Sequence, residues 1–117
     1  MAPFERLANE DFCYLTTVGR KTGRPHTIEI WFARENGNLY VLSGGGESAD
    51  WLRNLRKTPA VRVRIGSRTV AAKAREVTEP QEDALARRLL DEKYMGWKTG
   101  KHLSSWARNA LPVAIEL

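Results

Sequence analysis

Hydrophobic and polar residues alternate with a period of two along much of the chain, which is the pattern of strands that bury one face. This alternation predicts strands over residues 12–18, 27–32, 39–42, 61–65, 68–77 and 111–117. In the second of these strands, Ile28, Ile30 and Phe32 share one face. Asn36 and Gly37, which favour a tight hairpin turn, separate the second strand from the third.

Helical spacing of apolar residues predicts three helices, over residues 49–57, 78–94 and 104–110. Ser48 is placed to cap the first helix, which ends before Pro59 because the residue preceding a proline avoids the helical region. Thr78 and Gln81 have the spacing of a capping box at the start of the second helix.

Hairpin connections between successive strands imply antiparallel pairing, and the chain lacks the strand–helix–strand rhythm of a nucleotide-binding parallel sheet. Six strands in 117 residues favour a small barrel, since closure removes exposed edges. The length is that of a single domain, and we assign residues 1–117 to one.

The net charge indicates which binding partners the chain favours, and the cysteine content indicates which disulfides it can form. The net charge of +5 favours an anionic partner, which can be nucleic acid, a membrane surface or a phosphorylated small molecule. Arg87 and Arg88 are interleaved with acidic residues, so the predicted long helix has no basic stripe and we expect no nucleic-acid binding. The single cysteine, Cys13, excludes an intrachain disulfide and is expected to be a buried apolar residue.

Known signatures of targeting and catalysis are missing from the sequence. It contains no signal peptide and no apolar run of about 20 residues, so we predict a cytoplasmic protein without integral membrane association. It has no phosphate-binding P-loop and no nucleophile elbow, and its two histidines, His26 and His102, lie far apart. An enzyme of this composition is expected to take its chemistry from a cofactor.

A cationic loop follows the first predicted strand. Arg20, Lys21, Thr22 and Arg24 lie within five residues, next to glycines that let backbone amides approach a ligand. Arginine offers a bidentate fork to phosphate and lysine offers a point charge. The loop is therefore a candidate phosphate site, although a solvated hairpin loop has a similar composition.

Two further features are candidates for binding a flat ligand. The first is a glycine-rich segment between the third strand and the first helix, formed by Ser43, Gly44, Gly45 and Gly46. It can hold an anion or a ring edge, or serve only as a turn. The second is the aromatic content of the predicted helices: Trp51, Tyr94, Trp97 and Trp106. Tyr94 and Trp97 lie where the long helix ends and can wall a pocket for a planar ligand, whereas Trp51 can belong to the core.

The order and spacing of several motifs resemble the deazaflavin-dependent nitroreductase family, within the pyridoxamine-phosphate-oxidase-like split β-barrel group. The motifs are LTTVGRKTGRP (15–25), WF (31–32), LYV (39–41), GGG (44–46), DWLRNL (50–55) and PAVRV (59–63). This resemblance implies an α+β fold, a six-stranded antiparallel split β-barrel with flanking helices, that forms a homodimer and binds coenzyme F420.

The resemblance also implies site residues. Cations of the first loop would hold the phosphate end of the cofactor, and the glycine segment would lie along it. The positions concerned are Arg20, Lys21, Thr22, Arg24, His26, Ser43, Gly44, Gly45, Gly46, Trp51 and Asn54. Some members have a lysine where this chain has Gly44, which removes one positive charge near the cofactor tail.

The functional hypothesis is an F420-dependent oxidoreductase that passes a hydride to a small electrophilic acceptor, such as a quinone, an enone or a nitro compound. Ser43 and Tyr94 are the candidates for a catalytic proton donor. The alternatives are a non-catalytic carrier of a flavin-type or apolar ligand and an FMN-binding split-barrel protein. No metal site is expected.

Overall fold

Seven strands, counted within the residues 10–117 that this computed structural model describes, form one curled antiparallel sheet. They are β1 (Cys13–Val18), β2 (Pro25–Ile30), β3 (Ala33–Glu35), β4 (Asn38–Ser43), β5 (Ala60–Ile65), β6 (Arg68–Glu76) and β7 (Leu111–Glu116). Their order in the sheet is β2-β1-β5-β6-β7-β4-β3, and every neighbouring pair is antiparallel. In the same part of the chain, residues 10–117, three helices flank the sheet: α1 (Asp50–Lys57), α2 (Pro80–Met95) and α3 (Ser105–Asn109).

The sequence pattern predicts a second strand over residues 27–32 and none over residues 33–35, whereas the structure has both β2 and β3, which lie at opposite ends of the sheet. Only Trp31 and Phe32 separate them, and at this kink the chain crosses from one sheet end to the other. The backbone N–H of Phe32 is bonded to the Tyr94 hydroxyl (3.0 Å) instead of to a neighbouring strand. The predicted α+β antiparallel split barrel is therefore confirmed, with seven strands rather than six.

Two apolar cores lie on the two faces of this sheet. The first fills the inside of the curl and includes Leu15, Phe32, Leu52, Val63 and Ile115. The second lies between the sheet and α2 and α3, and includes Leu42, Ala86, Leu90, Ala107 and Ala114. Strand β4 is buried on both faces because its residues alternate between the two cores.

Cys13 lies in the first core, as predicted, with no exposed surface. Burial raises the pKa of its thiol to about 12, since the low-dielectric core disfavours the thiolate. The residue is therefore a packing element and not a reactive thiol at neutral pH.

Both predicted N-caps of the longer helices are wrong. Ser48 lies in a 3₁₀ turn (Gly46–Ser48), and α1 begins after Ala49 without a side-chain cap. Helix α2 begins at Pro80, because proline lacks an N–H and its fixed φ suits the first helical position. The carboxylate of Glu79, not the hydroxyl of Thr78, accepts the hydrogen bond from a first-turn amide.

The third predicted helix is confirmed as α3, with Ser104 as its N-cap. No helix within residues 10–117 has the length and apolar character needed to cross a membrane. The predicted lack of a leader peptide concerns the N-terminus, most of which lies outside the described residues.

Candidate functional site

The cationic loop between β1 and β2 is closed by its own backbone. The N–H of Gly19 donates to the carbonyl of Arg24 (2.7 Å), and the N–H of Gly23 donates to the carbonyl of Gly19 (2.8 Å). A side chain at Gly19 would place its Cβ 2.6 Å from Nε2 of His26. Glycine at this position therefore lets the imidazole of His26 pack directly on the loop.

This loop, the start of β2 and helix α1 enclose a pocket of about 430 Å³, which we call the cationic pocket. Six of the site residues predicted from the sequence line it together: Arg20, Lys21, Thr22, His26, Trp51 and Asn54. Arg24 belongs to the same loop but does not line the pocket. Sequence reasoning missed Asp50, the first residue of α1, although an acidic residue in a first helical turn is a common signal.

Arg20 joins the loop to helix α1. Its backbone N–H and Nη1 both donate to Oδ1 of Asn54 (3.1 and 2.9 Å), and Nη2 donates to Oδ1 of Asp50 (3.0 Å). Asn54 is buried and donates from Nδ2 to the hydroxyl of Thr17 on β1 (3.2 Å). Lys57 adds a bond from Nζ to the Arg20 carbonyl (2.9 Å). The Arg20 guanidinium therefore shapes the pocket wall before any ligand arrives.

Lys21 and His26 differ from Arg20, because both are exposed and neither has a hydrogen-bond or ion-pair partner within residues 10–117. Arg20 and Lys21 face a single carboxylate in the pocket, that of Asp50. The pocket therefore has an excess of positive charge and suits an anionic group.

The glycine segment lies outside the cationic pocket. Ser43 is fully buried, and its hydroxyl donates to the carbonyl of Gly46 (2.9 Å). A Cβ placed on Gly44 would lie 3.9 Å from the indole of Trp106. The segment therefore borders an aromatic cluster on α2, α3 and the kink.

This aromatic cluster consists of Trp31, Tyr94 and Trp106. The ring of Trp31 stacks on that of Tyr94 with 4.4 Å between centroids, and Trp106 meets Trp31 edge-on at 5.3 Å. Trp31 remains 41% exposed and, with Trp106, lines a pocket of about 280 Å³. Sequence reasoning missed Trp31; its signal is a large aromatic residue on the polar face of a strand. Trp97 is not in this cluster, and its Nε1 donates to the Lys101 carbonyl (2.8 Å).

The hydroxyl of Tyr94 supports the kink. It accepts from the N–H of Phe32 and lies 2.9 Å from the Phe32 carbonyl and 2.7 Å from that of Asp11. Nζ of Lys93 also donates to the Phe32 carbonyl (3.0 Å). Burial raises the pKa of Tyr94 to about 12. The Tyr94 hydroxyl is thus bonded to backbone atoms that lie outside the hydrogen-bond ladder of the sheet.

Strand β2 connects the two pockets. His26 and Ile28 line the cationic pocket, and Ile30 and Trp31 line the pocket at the aromatic cluster. At about 3.3 Å per residue, the five-residue step from His26 to Trp31 spans roughly 16 Å. The arrangement suits an elongated ligand with an anionic end and a flat end. Residues 10–117 contain no cluster of side chains that could hold a metal ion.

Comparison with known proteins gives an independent result. The profile of the F420H(2)-dependent quinone reductase family matches residues 4–117. The F420H(2)-dependent quinone reductase of Mycobacterium tuberculosis is 34% identical over 76 residues, which are 62% of this chain and 50% of that protein. The chain thus spans about half the length of the curated relatives it matches.

Solved structures share the fold. A conserved hypothetical protein from Mycobacterium tuberculosis has a TM-score of 0.78 at 21% identity, covering 97% of this chain and 79% of the other. An F420-H2 dependent reductase has a TM-score of 0.68 at 23% identity, covering 91% and 93%. The family profile covers nearly all of the sequence, and the chain belongs to the F420H(2)-dependent quinone reductase family.

Proposed function

We propose that this protein is an oxidoreductase that binds coenzyme F420 and reduces a small electrophilic acceptor, with a quinone as the first choice and an enone or a nitro compound as further acceptors. The observation that carries this proposal is the cationic pocket and the exposed Trp31 at two ends of strand β2. Family membership and the names of the curated relatives support it. When bound, reduced F420 would supply the hydride.

The cationic pocket fits the phosphate end of such a cofactor. Lys21 and His26 have no partner among the described residues, so they can bind an anion without losing an existing bond. The hydroxyl of Thr22 lines the same pocket. Arg20 and Asn54 hold the loop against α1, Trp51 forms part of the wall, and Arg24 would act from outside the pocket at longer range.

The flat part of the ligand would lie towards the aromatic cluster. The lack of a side chain on Gly44 leaves room beside Trp106, where the glycine segment (Ser43, Gly44, Gly45 and Gly46) can border a ring edge. An acceptor ring can stack against exposed aromatic surface of Trp31. In this proposal the protein positions two rings and excludes water.

We propose that one of two hydroxyl groups acts as the proton donor. Ser43 and Tyr94 are the candidates, and both hydroxyls are bonded to backbone atoms. Either group would have to exchange a backbone bond in order to donate a proton to the acceptor. Full turnover of both Ser43→Ala and Tyr94→Phe would remove them from that role.

A non-catalytic carrier of a flavin-type or apolar ligand is the second candidate. It is favoured by the hydrogen bonds of the two candidate donors, because the hydroxyls of Ser43 and Tyr94 both already have backbone partners. An FMN-binding protein of this fold is the third. Turnover of reduced F420 distinguishes the oxidoreductase from the carrier and the FMN-binding protein, because ligand binding alone is common to all three.

We also propose that the protein is a cytoplasmic homodimer. The face of β1, β2, β5 and β6 opposite the first core holds a groove of about 690 Å³, lined among others by Tyr14, Thr16 and Arg62. A second copy that covered this groove would add buried surface to a small domain, which alone buries a limited core.

The test is steady-state turnover of reduced F420 with menadione as a model quinone under anaerobic conditions. Oxidation of the cofactor is measured as the recovery of F420 fluorescence. We expect saturable oxidation of the cofactor above the uncatalysed rate. Binding of F420 without such turnover would favour the carrier. Binding of FMN in preference to F420 would place the chain among flavin proteins.

A further inference from the structure

Helix α3 has only five residues, yet it contributes Trp106 to the aromatic cluster. Isolated helices shorter than about 12 residues are marginal in water, so a helix of this length depends on tertiary contacts. The position of Trp106 is therefore set by whatever holds the two ends of α3.

A buried carboxylate on α2 holds the N-terminal end. Asp91 is 1% exposed, and its two oxygens accept from the backbone N–H (2.8 Å) and the hydroxyl (2.6 Å) of Ser104. The same hydroxyl oxygen accepts from the N–H of Ala107 and so caps α3 (3.2 Å). A buried carboxylate is costly unless it is hydrogen-bonded, and here both oxygens are used at the helix start.

A guanidinium on α2 holds the C-terminal end. Nη1 of Arg87 donates to the carbonyls of Ala107 (2.7 Å), Arg108 (2.9 Å) and Ala110 (2.7 Å). Carbonyls at a helix end have no partner within the helix, so these bonds satisfy them. Nε of Arg87 is oriented in turn by Oδ1 of Asp83 (2.6 Å).

Asp83, Arg87 and Asp91 follow one another at steps of four residues, which places them on one face of α2. We call these three residues the α2 clamp. Asp91 meets the N-terminus of α3 and Arg87 meets its C-terminus, so the negative and the positive charge each complement the dipole of the short helix.

We propose that the α2 clamp positions Trp106 against Trp31 and thereby fixes the shape of the pocket that these two residues line, which we call the acceptor pocket, with Asp91 and Arg87 as positioning residues. The part of this inference that concerns the acceptor rests on the proposed function. The part that concerns Trp106 does not, because it follows from the bonds that hold α3.

The first experiment needs no cofactor. Amide hydrogen exchange of α3 and the NMR indole signal of Trp106 are compared in wild type, Asp91→Asn, Ser104→Ala and Ser104→Thr. Asparagine cannot accept both Ser104 bonds, and alanine removes the cap, whereas threonine keeps the hydroxyl. We expect faster exchange at Ala107 and a shifted Trp106 signal in the first two variants and wild-type behaviour in Ser104→Thr.

The second experiment measures the acceptor KM and the F420 dissociation constant of the same proteins. We expect the KM for menadione to rise roughly fivefold in Asp91→Asn and Ser104→Ala, the size typical of one lost helix cap, with F420 binding unchanged. Arg88→Gln, on an exposed part of α2, serves as the matched control and should match wild type.

The outcomes separate the two proposals. Unchanged exchange and an unshifted Trp106 signal in Asp91→Asn and Ser104→Ala would overturn the clamp. Changed exchange with an unchanged acceptor KM would overturn its role in the acceptor pocket. A wild-type protein without turnover would refute the proposed function, and the clamp would then be judged on exchange and on the Trp106 signal alone.

Discussion

The polar side chains of the cationic pocket form two groups. Some have hydrogen-bond partners within the protein, and others have none among the described residues. Arg20 is bonded to Asp50 and Asn54, and Asn54 is bonded to Thr17, so these residues build the pocket. Lys21 and His26 have no partner within residues 10–117, and in the proposed function they bind the ligand. Substitutions in the two groups should therefore have different consequences.

Replacing Lys21 with alanine is expected to weaken F420 binding about tenfold, the effect of one lost charge-assisted hydrogen bond, without changing stability. Arg20→Ala is expected to weaken binding and also to lower the free energy of unfolding. Titration by cofactor fluorescence and urea unfolding measure the two effects. Lys98→Ala, which removes an exposed lysine outside the pocket, is the control; equal loss in Lys98→Ala and Lys21→Ala would contradict the assignment.

Tyr94→Phe tests whether the hydroxyl supports the kink between β2 and β3. The change leaves the Phe32 peptide without its Tyr94 partner, so we expect the free energy of unfolding to fall by about 1–3 kcal/mol. Tyr14→Phe is the control, because within residues 10–117 that hydroxyl bonds to a single group, the carboxylate of exposed Glu29. Equal stability of Tyr94→Phe and wild type in urea would show that the bond to Phe32 is not structural.

At the scale of secondary-structure elements, α2 is attached to the sheet by a partly exposed ion pair. Arg75 on β6 donates two bonds to Glu82 of α2 (2.7 and 2.8 Å), and the hydroxyl of Tyr40 donates a third (2.7 Å). The hydrogen bonds from Arg75 lower the pKa of Glu82 to about 2. The folded protein therefore binds a proton at Glu82 less readily than the unfolded chain does.

This depressed pKa predicts how stability depends on pH. The contribution of Glu82 is present above pH 4.5, the ordinary pKa, and is lost as the pH falls towards 2. Glu82→Gln should cost about 2 kcal/mol at pH 7 and reduce the decline between pH 4.5 and 2. Urea unfolding over this range measures both effects. Glu92→Gln, an exposed carboxylate on the same helix, should keep the wild-type profile, and an unaltered profile in Glu82→Gln would contradict the assignment.

The elements that local sequence determines were predicted, and those that distant contacts determine were not. Period-two alternation identified strands such as β1 and β5, because each of them buries one face in the first core. Strand β3, which has only three residues, was not predicted. The break at Trp31 was not visible, because it depends on Tyr94, which bonds to Phe32 from 62 residues away. The cationic loop was identified from its composition. The position of Asp50 in the pocket depends on packing between α1 and the loop, which the composition of neither segment reveals.

At the scale of the whole molecule, the kink brings the chain from one end of the sheet to the other and leaves β2 as an edge strand beside both pockets. The opposite face of β1, β2, β5 and β6 carries the larger groove. On these four strands one face meets the first core, and the other carries the groove at which we propose that a second copy binds.

A homodimer through this groove predicts a mass of two chains in light scattering. Arg62 lines the groove. We expect Arg62→Glu to shift the protein towards the monomer, because the reversed charge would be unmatched, or would face a like charge, in the contact between the two copies. Lys98→Glu, which reverses a charge outside the groove, is the control. A wild-type monomer, or a dimer unaffected by Arg62→Glu, would contradict this interface.

In the proposed function the cationic pocket binds the anionic end of F420. The first measurement is therefore a fluorescence titration of wild type and Lys21→Ala with F420, and with FMN in parallel. We expect saturable binding of F420, weaker binding of FMN, and a loss of about tenfold in F420 affinity for Lys21→Ala. Failure of F420 to bind, or equal F420 affinity in wild type and Lys21→Ala, would contradict it.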